Sequence, residues 1–222
     1  MFTEIGGFVE LAKYIDHTLL KPQAAPLDID RLCAEAAEYG FAAVCVNPVY
    51  VPLCARLLDG RGVAVATVVG FPLGANAAVT KAREASLAVE QGAGEIDMVM
   101  AVGLFKGGEQ GAVSDDIAGV VEAAAGRPVK VILETSLLSE EEIARASRLA
   151  ADAGAAFVKT STGFGSRGAS VEDVRIMKEA VGEGCLVKAS GGIRTREDAI
   201  AMIEAGAARI GTSAGVAIVR GS

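Results

Sequence analysis

Short apolar runs rich in Val and Ile alternate along this chain with longer stretches whose apolar positions recur every third or fourth residue. The first pattern suits a parallel strand buried on both faces, and the second suits an amphipathic helix. The runs Tyr14–Leu19, Ala42–Val46, Val63–Val69, Ile96–Val102, Val129–Glu134, Phe157–Thr160, Leu186–Ala189 and Arg209–Gly211 predict eight strands. Helical spacing is clear at Asn76–Gln91, Ser139–Ala153, Val171–Val181 and Thr195–Ala205. Ser139 with Glu142 and Thr195 with Asp198 form Ser/Thr-x-x-acid patterns, which cap free amides at a helix start. A small-residue string recurs before three of the strands, as Gly92-Ala93-Gly94, Ala153-Gly154-Ala155-Ala156 and Ala205-Gly206-Ala207-Ala208. Glycine just past a helix takes the left-handed conformation that ends it, so the string punctuates a repeating βα unit.

Parallel strands joined by helices make either an open doubly wound sheet or a closed barrel. The strand count, and small-residue turns gathered after the last strands, favour the barrel. The expectation is an α/β protein of the TIM (β/α)8 barrel class with a short N-terminal helix, and one domain over residues 1–222, since such barrels need at least about 200 residues. Active sites of these barrels lie where strand C-termini meet the following loops, so polar residues at those ends become candidates.

Composition narrows the choice of partner. Hydrophobic residues make up 51% and charged residues 22%, which predicts a chain that folds completely. A net charge of −7 and a pI near 4.9 argue against nucleic acid, which is held by clustered Lys and Arg. A phosphate on a small molecule remains open, because a few backbone amides and one or two cations can hold it. Cys33, Cys45, Cys54 and Cys185 lack C-x-x-C spacing, and the single His17 cannot complete an ordinary Cys/His zinc site, so free buried thiols and no metal are expected. No stretch approaches the roughly 18 uncharged apolar residues of a membrane span, and the first residues lack a secretory pattern, so a cytoplasmic protein is expected.

The chemistry is signalled by ionisable residues inside apolar strands: Ile96-Asp97-Met98, Val158-Lys159-Thr160 and Val187-Lys188-Ala189. Neither face of a barrel strand is open water, and an unpaired buried Lys is costly. Any one of the three could be a structural ion pair. Two lysines on successive strands with an acid on an earlier one point to a reaction. A Lys at its usual pKa of about 10.4 is only ~0.1% neutral near pH 7.5, and a second ammonium such as Lys188 would favour the neutral, nucleophilic form of Lys159. A neutral amine attacks an aldehyde or ketone to give an iminium, an electron sink that lets a carbon–carbon bond break or form. Asp97 could move the protons, directly or through water, and no cofactor is then needed. Lys130 and Glu134, four residues apart in one predicted strand, are expected to share a face as a supporting ion pair.

Three small-residue turns follow the last strands: Thr160-Ser161-Thr162-Gly163, Ser190-Gly191-Gly192-Ile193-Arg194 and Gly211-Thr212-Ser213-Ala214-Gly215. Glycine admits close backbone approach, helices starting at Thr195 and near Ser213 aim free amides at the mouth, and Arg194 adds a cation. Barrels often hold phosphate after the seventh and eighth strands, so a phosphorylated carbonyl compound is the expected ligand. The residues alone leave room for a phosphate-binding barrel that isomerises or cleaves without a covalent lysine, and for an inactive binding barrel.

These motifs resemble the deoxyribose-phosphate aldolase family along nearly the whole chain, from Ile15-Asp16-His17-Thr18-Leu19-Leu20-Lys21-Pro22 to Ile210-Gly211-Thr212-Ser213. The most specific pieces are Phe157-Val158-Lys159-Thr160-Ser161-Thr162-Gly163-Phe164-Gly165 and Val187-Lys188-Ala189-Ser190-Gly191-Gly192-Ile193-Arg194. The resemblance implies reversible cleavage of 2-deoxyribose 5-phosphate to acetaldehyde and glyceraldehyde 3-phosphate. It gives Lys159 as the iminium-forming residue, Lys188 as the lysine that tunes it and Asp97 as the acid of the proton relay. Asp16 and Thr18 match positions near the sugar hydroxyls. Gly163, Gly191, Gly192, Arg194, Gly211 and Ser213 match the phosphate end. His17 and Cys45 match motif letters that packing explains equally well. Some members carry Lys where this sequence has Phe164, and some end in a Tyr-bearing tail where this one reads Arg220-Gly221-Ser222, which implies greater reliance on backbone amides for phosphate. A homodimer or homotetramer is the expected assembly.

Overall fold

The structure, a computed structural model, describes residues 11–221. Most of the expected N-terminal helix falls outside that range; Leu11 and Ala12 are helical. Eight strands close into a parallel barrel in sequence order: β1 Ile15–Leu19, β2 Ala43–Val46, β3 Ala64–Val69, β4 Glu95–Val99, β5 Val129–Ile132, β6 Phe157–Lys159, β7 Leu186–Ser190 and β8 Arg209–Thr212. Closure comes from β8 pairing with β1, with Asp16 opposite Gly211 and His17 opposite Thr212. The fold is a TIM barrel.

Helices return the chain outside the sheet: α1 Pro26–Tyr39, α2 Val51–Leu57, α3 Ala78–Glu90, α4 Val102–Lys106, α5 Gln110–Ala123, α6 Glu140–Asp152, α7 Val171–Val181, α8 Arg196–Glu204 and α9 Gly215–Arg220. Both expected capping boxes form. The Glu142 amide donates to Ser139 Oγ at 3.3 Å, and the Asp198 amide donates to Thr195 Oγ1 at 3.1 Å. Each acid accepts the reciprocal bond from its cap residue's amide, at 3.0 Å in both helices. Gly92, Gly154 and Gly206 have φ of 106°, 94° and 113°, the positive values that end α3, α6 and α8.

Two strands, β4 and β5, end more than one residue short of the reading above. β4 stops at Val99, and Val102 begins α4. β5 stops at Ile132, because Glu134 turns into the left-handed region (φ 55°, ψ 66°) ahead of a 3-10 turn at Thr135–Leu137.

Alternation along each strand separates two kinds of interior. Val44, Val46, Ile96, Met98, Val131, Val158, Val187 and Ile210 pack outward with helix residues such as Ile29, Ile117, Ile143 and Val174 in the main core. Ala43, Cys45, Ala66 and Val68 form a second apolar cluster with Leu20. Ala43 lies in register with Asp16, and Val68 with Asp97. Small apolar residues of β2 and β3 therefore share the inside of the barrel with charges from the other strands. All four cysteines are buried and free.

A buried ion pair ties α3 to α5. The fully buried Lys81 ammonium donates to Asp116 Oδ2 at 2.6 Å and to the carbonyl of Val99, the last residue of β4, at 3.0 Å. Removing one partner of such a pair strands the other charge. Asp116→Ala is expected to lower the unfolding free energy by about 3–5 kcal/mol in urea titrations, with most of it restored by adding Lys81→Met. A single variant as stable as the parent would show that the pair does not anchor the strand end.

Candidate active site

Strand register builds the centre of the site. Lys159 on β6 and Lys188 on β7 are direct partners across the sheet, as are Asp97 on β4 and Lys130 on β5. Residues in parallel register point to the same face, and here that face is the barrel interior. Both the Lys159 and Lys188 ammoniums donate to Asp97 Oδ2 at 2.8 Å. Lys130 donates to Asp97 Oδ1 at 2.7 Å and pairs with Glu95 Oε2 at 2.7 Å. Lys188 also donates to Asp16 Oδ2 at 2.5 Å. Arg209 completes the belt, donating to Asp16 Oδ1 at 2.5 Å and to Glu95 Oε1 at 3.1 Å.

Burial alone would raise the Asp97 pKa, but the Lys130, Lys159 and Lys188 ammoniums outweigh it and hold the carboxyl well below the usual range. Asp16 follows the same logic: burial opposes its charge, and Lys188, Lys130 and Arg209 overcome that to lower its pKa. For Lys188, burial disfavours the cation, yet Asp16 and Asp97 raise its pKa above the ordinary lysine value. Lys130 is likewise raised, chiefly by Asp97 against its own desolvation. Asp16, Asp97, Lys130 and Lys188 are therefore fixed charges at neutral pH.

Above this belt opens a cavity of about 410 Å³. Lys159 is the only member of the belt on its wall. Thr18, Gly163, Gly191, Gly192, Arg194, Gly211 and Ser213 line it too, so the turns expected at a phosphate end do converge beside Lys159. Gly211 makes room as well, because a Cβ there would come within 3.1 Å of Lys188 Cε. Asp16 does not line the cavity: it is fully buried beneath, in contact with Lys188 and Arg209. Thr18 spends its hydroxyl on the Asp16 carbonyl at 2.9 Å.

The expected Lys130–Glu134 ion pair does not exist. Even spacing puts two residues on one face only while the chain stays extended, and Glu134 has left the strand. Lys130 joins the belt, whereas Glu134 accepts from the Thr162 hydroxyl and from the Thr162 amide at 3.3 Å. Glu134 thus holds the loop after Lys159 in place. The same loop is braced at its far end, where Arg167 pairs with Asp173 and the Ala169 amide donates to the Gly191 carbonyl at 3.0 Å. His17 and Cys45 have packing roles: His17 Nε2 lies 2.7 Å from Glu35 Oε2 with its ring against Phe41, and Cys45 is fully buried. Glu95 and Arg209, which the sequence reading passed over, close the belt; each is a charge at the first residue of an apolar strand.

Comparison with known proteins places the chain among aldolases. A family model described as DeoC/LacD family aldolase matches residues 10–221. The deoxyribose-phosphate aldolase of Clostridium novyi (strain NT) is 57% identical over 215 residues, covering 96% of this chain and 97% of the relative. The enzyme of the same name from Bacillus subtilis (strain 168) is 56% identical over 214 residues, covering 96% of each. Among solved structures, the tetrameric deoxyribose phosphate aldolase from Aeropyrum pernix superposes with a TM-score of 0.91 at 37% identity, covering 97% of this chain and 92% of that one.

The belt sets a pH window for stability. Asp16 and Asp97 are lowered on folding, so the stability they add is present above their unfolded value of about 3.9 and is lost as pH falls through the folded values. Lys130 and Lys188 are raised, so theirs is complete below about 10.4 and is lost as pH rises through the folded values. Asp97→Asn removes the carboxylate that raises both lysines, so the variant should be less stable at neutral pH and should lose less further stability above about 10.4 than the parent does. Urea midpoints measured across the pH range check this, and an unmoved alkaline limb would contradict Asp97 as the anchor.

Proposed function

Because this chain belongs to the DeoC/LacD family of aldolases, we propose that it cleaves 2-deoxy-D-ribose 5-phosphate reversibly to acetaldehyde and D-glyceraldehyde 3-phosphate, with Lys159 forming the Schiff base. The observation that carries this reading is the position of Lys159: of the buried lysines bonded to Asp97, it alone opens onto the cavity.

The Lys159 amine adds to the aldehyde carbon of the open-chain sugar, and the carbinolamine loses water to give an iminium. A base takes the proton of the hydroxyl on the third carbon, which becomes the new aldehyde as the bond between the second and third carbons breaks and its electrons enter the iminium to leave an enamine. Glyceraldehyde 3-phosphate departs. Protonation of the enamine carbon and hydrolysis then release acetaldehyde and the free amine. Asp97, bonded to Lys159 at 2.8 Å, is placed to exchange protons with the nitrogen and, through a water, with the substrate hydroxyl. Lys188 contributes a fixed positive charge beside that exchange. The phosphate lies against the turns at Gly163, Gly191–Gly192 and Gly211–Ser213, with Arg194 at the rim.

The assembly and location remain part of this proposal. The protein is placed in the cytoplasm as a homodimer or homotetramer; self-association is supported by the tetrameric relative, and by apolar side chains left exposed at Leu27, Val49, Leu73 and Val79. No helix among the described residues is long and apolar enough to cross a membrane. Residues 1–222 are taken as one catalytic domain.

Reduction with borohydride in the presence of acetaldehyde is expected to add a two-carbon unit at Lys159, read by peptide mass spectrometry. Lys159→Leu should abolish cleavage, a loss of at least about 10³-fold, while the urea midpoint stays near that of the parent. Reduced adduct at another lysine, or turnover in the variant, would exclude the mechanism.

A further inference from the structure

We infer that Lys21 is a phosphate-binding residue that sets specificity: its ammonium serves the phosphate end of the cavity from the β1 side, as Arg194 does from the β7 side. This rests on the aldolase reading above. Barrel closure sets β1 beside β8, so the segment leaving β1 stands next to the turn Gly211–Ser213. Two bonds fix that segment. Asn47 Nδ2 donates to the Leu20 carbonyl at 3.3 Å, and the Ala24 amide donates to the Lys21 carbonyl at 3.1 Å. The backbone of Lys21 is therefore placed while its side chain is exposed.

Among the described residues the cavity wall carries three basic side chains, Lys21, Lys159 and Arg194, and no Asp or Glu, in a protein whose net charge is −7. Lys159 is bonded to Asp97 and faces the reacting carbon. Lys21 makes no ion pair among the described residues, so none of them neutralises its charge. An ammonium on a flexible stem at the rim of an acid-free pocket attracts a dianion, and it can follow the phosphate as the sugar moves toward Lys159. The wall formed by Phe164, packed edge-on to Phe71 at 5.4 Å, offers no charge of its own. Phosphate recognition thus falls to the glycine turns, Arg194 and Lys21.

The test compares cleavage of 2-deoxyribose 5-phosphate and of 2-deoxyribose by the full chain, Lys21→Gln and Lys21→Arg. In Lys21→Gln the preference for the phosphorylated sugar, the ratio of the two kcat/KM values, should fall about tenfold through KM, with Lys21→Arg restoring most of it. Competitive inhibition by inorganic phosphate should weaken in parallel. A role in folding alone would lower both substrates alike, and an unmoved ratio overturns the inference. If the parent cleaves neither sugar, the proposed function fails, and calorimetric titration with inorganic phosphate still decides on Lys21. Weaker binding by about tenfold in Lys21→Gln supports it, and unchanged affinity overturns it.

Discussion

Three lysines project into one barrel interior, and the carboxylate of Asp97 bonds to all of them. Moving an ammonium out of water costs several kcal/mol even after the protein relaxes, so this arrangement can exist only where each charge finds an opposite one in good geometry. Asp97 meets part of that demand with two oxygens, and Asp16 and Glu95 meet the rest. Everything else about the centre follows from this constraint. Gly211 has no side chain because Lys188 passes beside it, and Ala43, Cys45, Ala66 and Val68 are small because the charged side chains fill the same interior.

The constraint also divides labour. Charges below the cavity floor are paired, which holds their geometry and keeps them out of direct reach of a ligand in the cavity. The cavity itself is lined by glycines, hydroxyls and cations without a carboxylate. A chain of net charge −7 thereby presents a locally positive pocket, so a total charge that argues against a nucleic-acid partner says nothing against a phosphorylated small molecule. Lys159 sits at the boundary, bonded to the belt and open to the cavity, and the proposed nucleophile must satisfy both conditions if its proton is to leave and its substrate is to arrive.

The fold was legible because parallel strands covered on both faces read as apolar runs, and each of the eight runs became a strand. Lys159, Lys188 and Asp97 were legible for the same reason: a charge inside such a run stands out. Lys130 and Glu134 were misjudged together, since the spacing argument assumes an extended backbone and Glu134 lies at φ 55°. Glu95 and Arg209 escaped notice because a charge at the first residue of a strand looks like solvent exposure. Lys21 was quoted within a motif without a role, since only barrel closure shows that it stands beside the last turn.

Closure is the step that local pattern cannot reveal. Asp16 meets Lys188 across 172 positions and Arg209 across 193, so the first strand supplies the counter-ion for the last two. An open sheet with the same strands would leave Lys188 without Asp16 and Arg209 without its closest carboxylate, an arrangement the interior disfavours. The same pairing of β1 with β8 brings Thr18 and Lys21 to the turn at Gly211–Ser213. Completing the barrel and completing the site are therefore one event, and the electrostatics that make an open form costly are those that later serve the reaction.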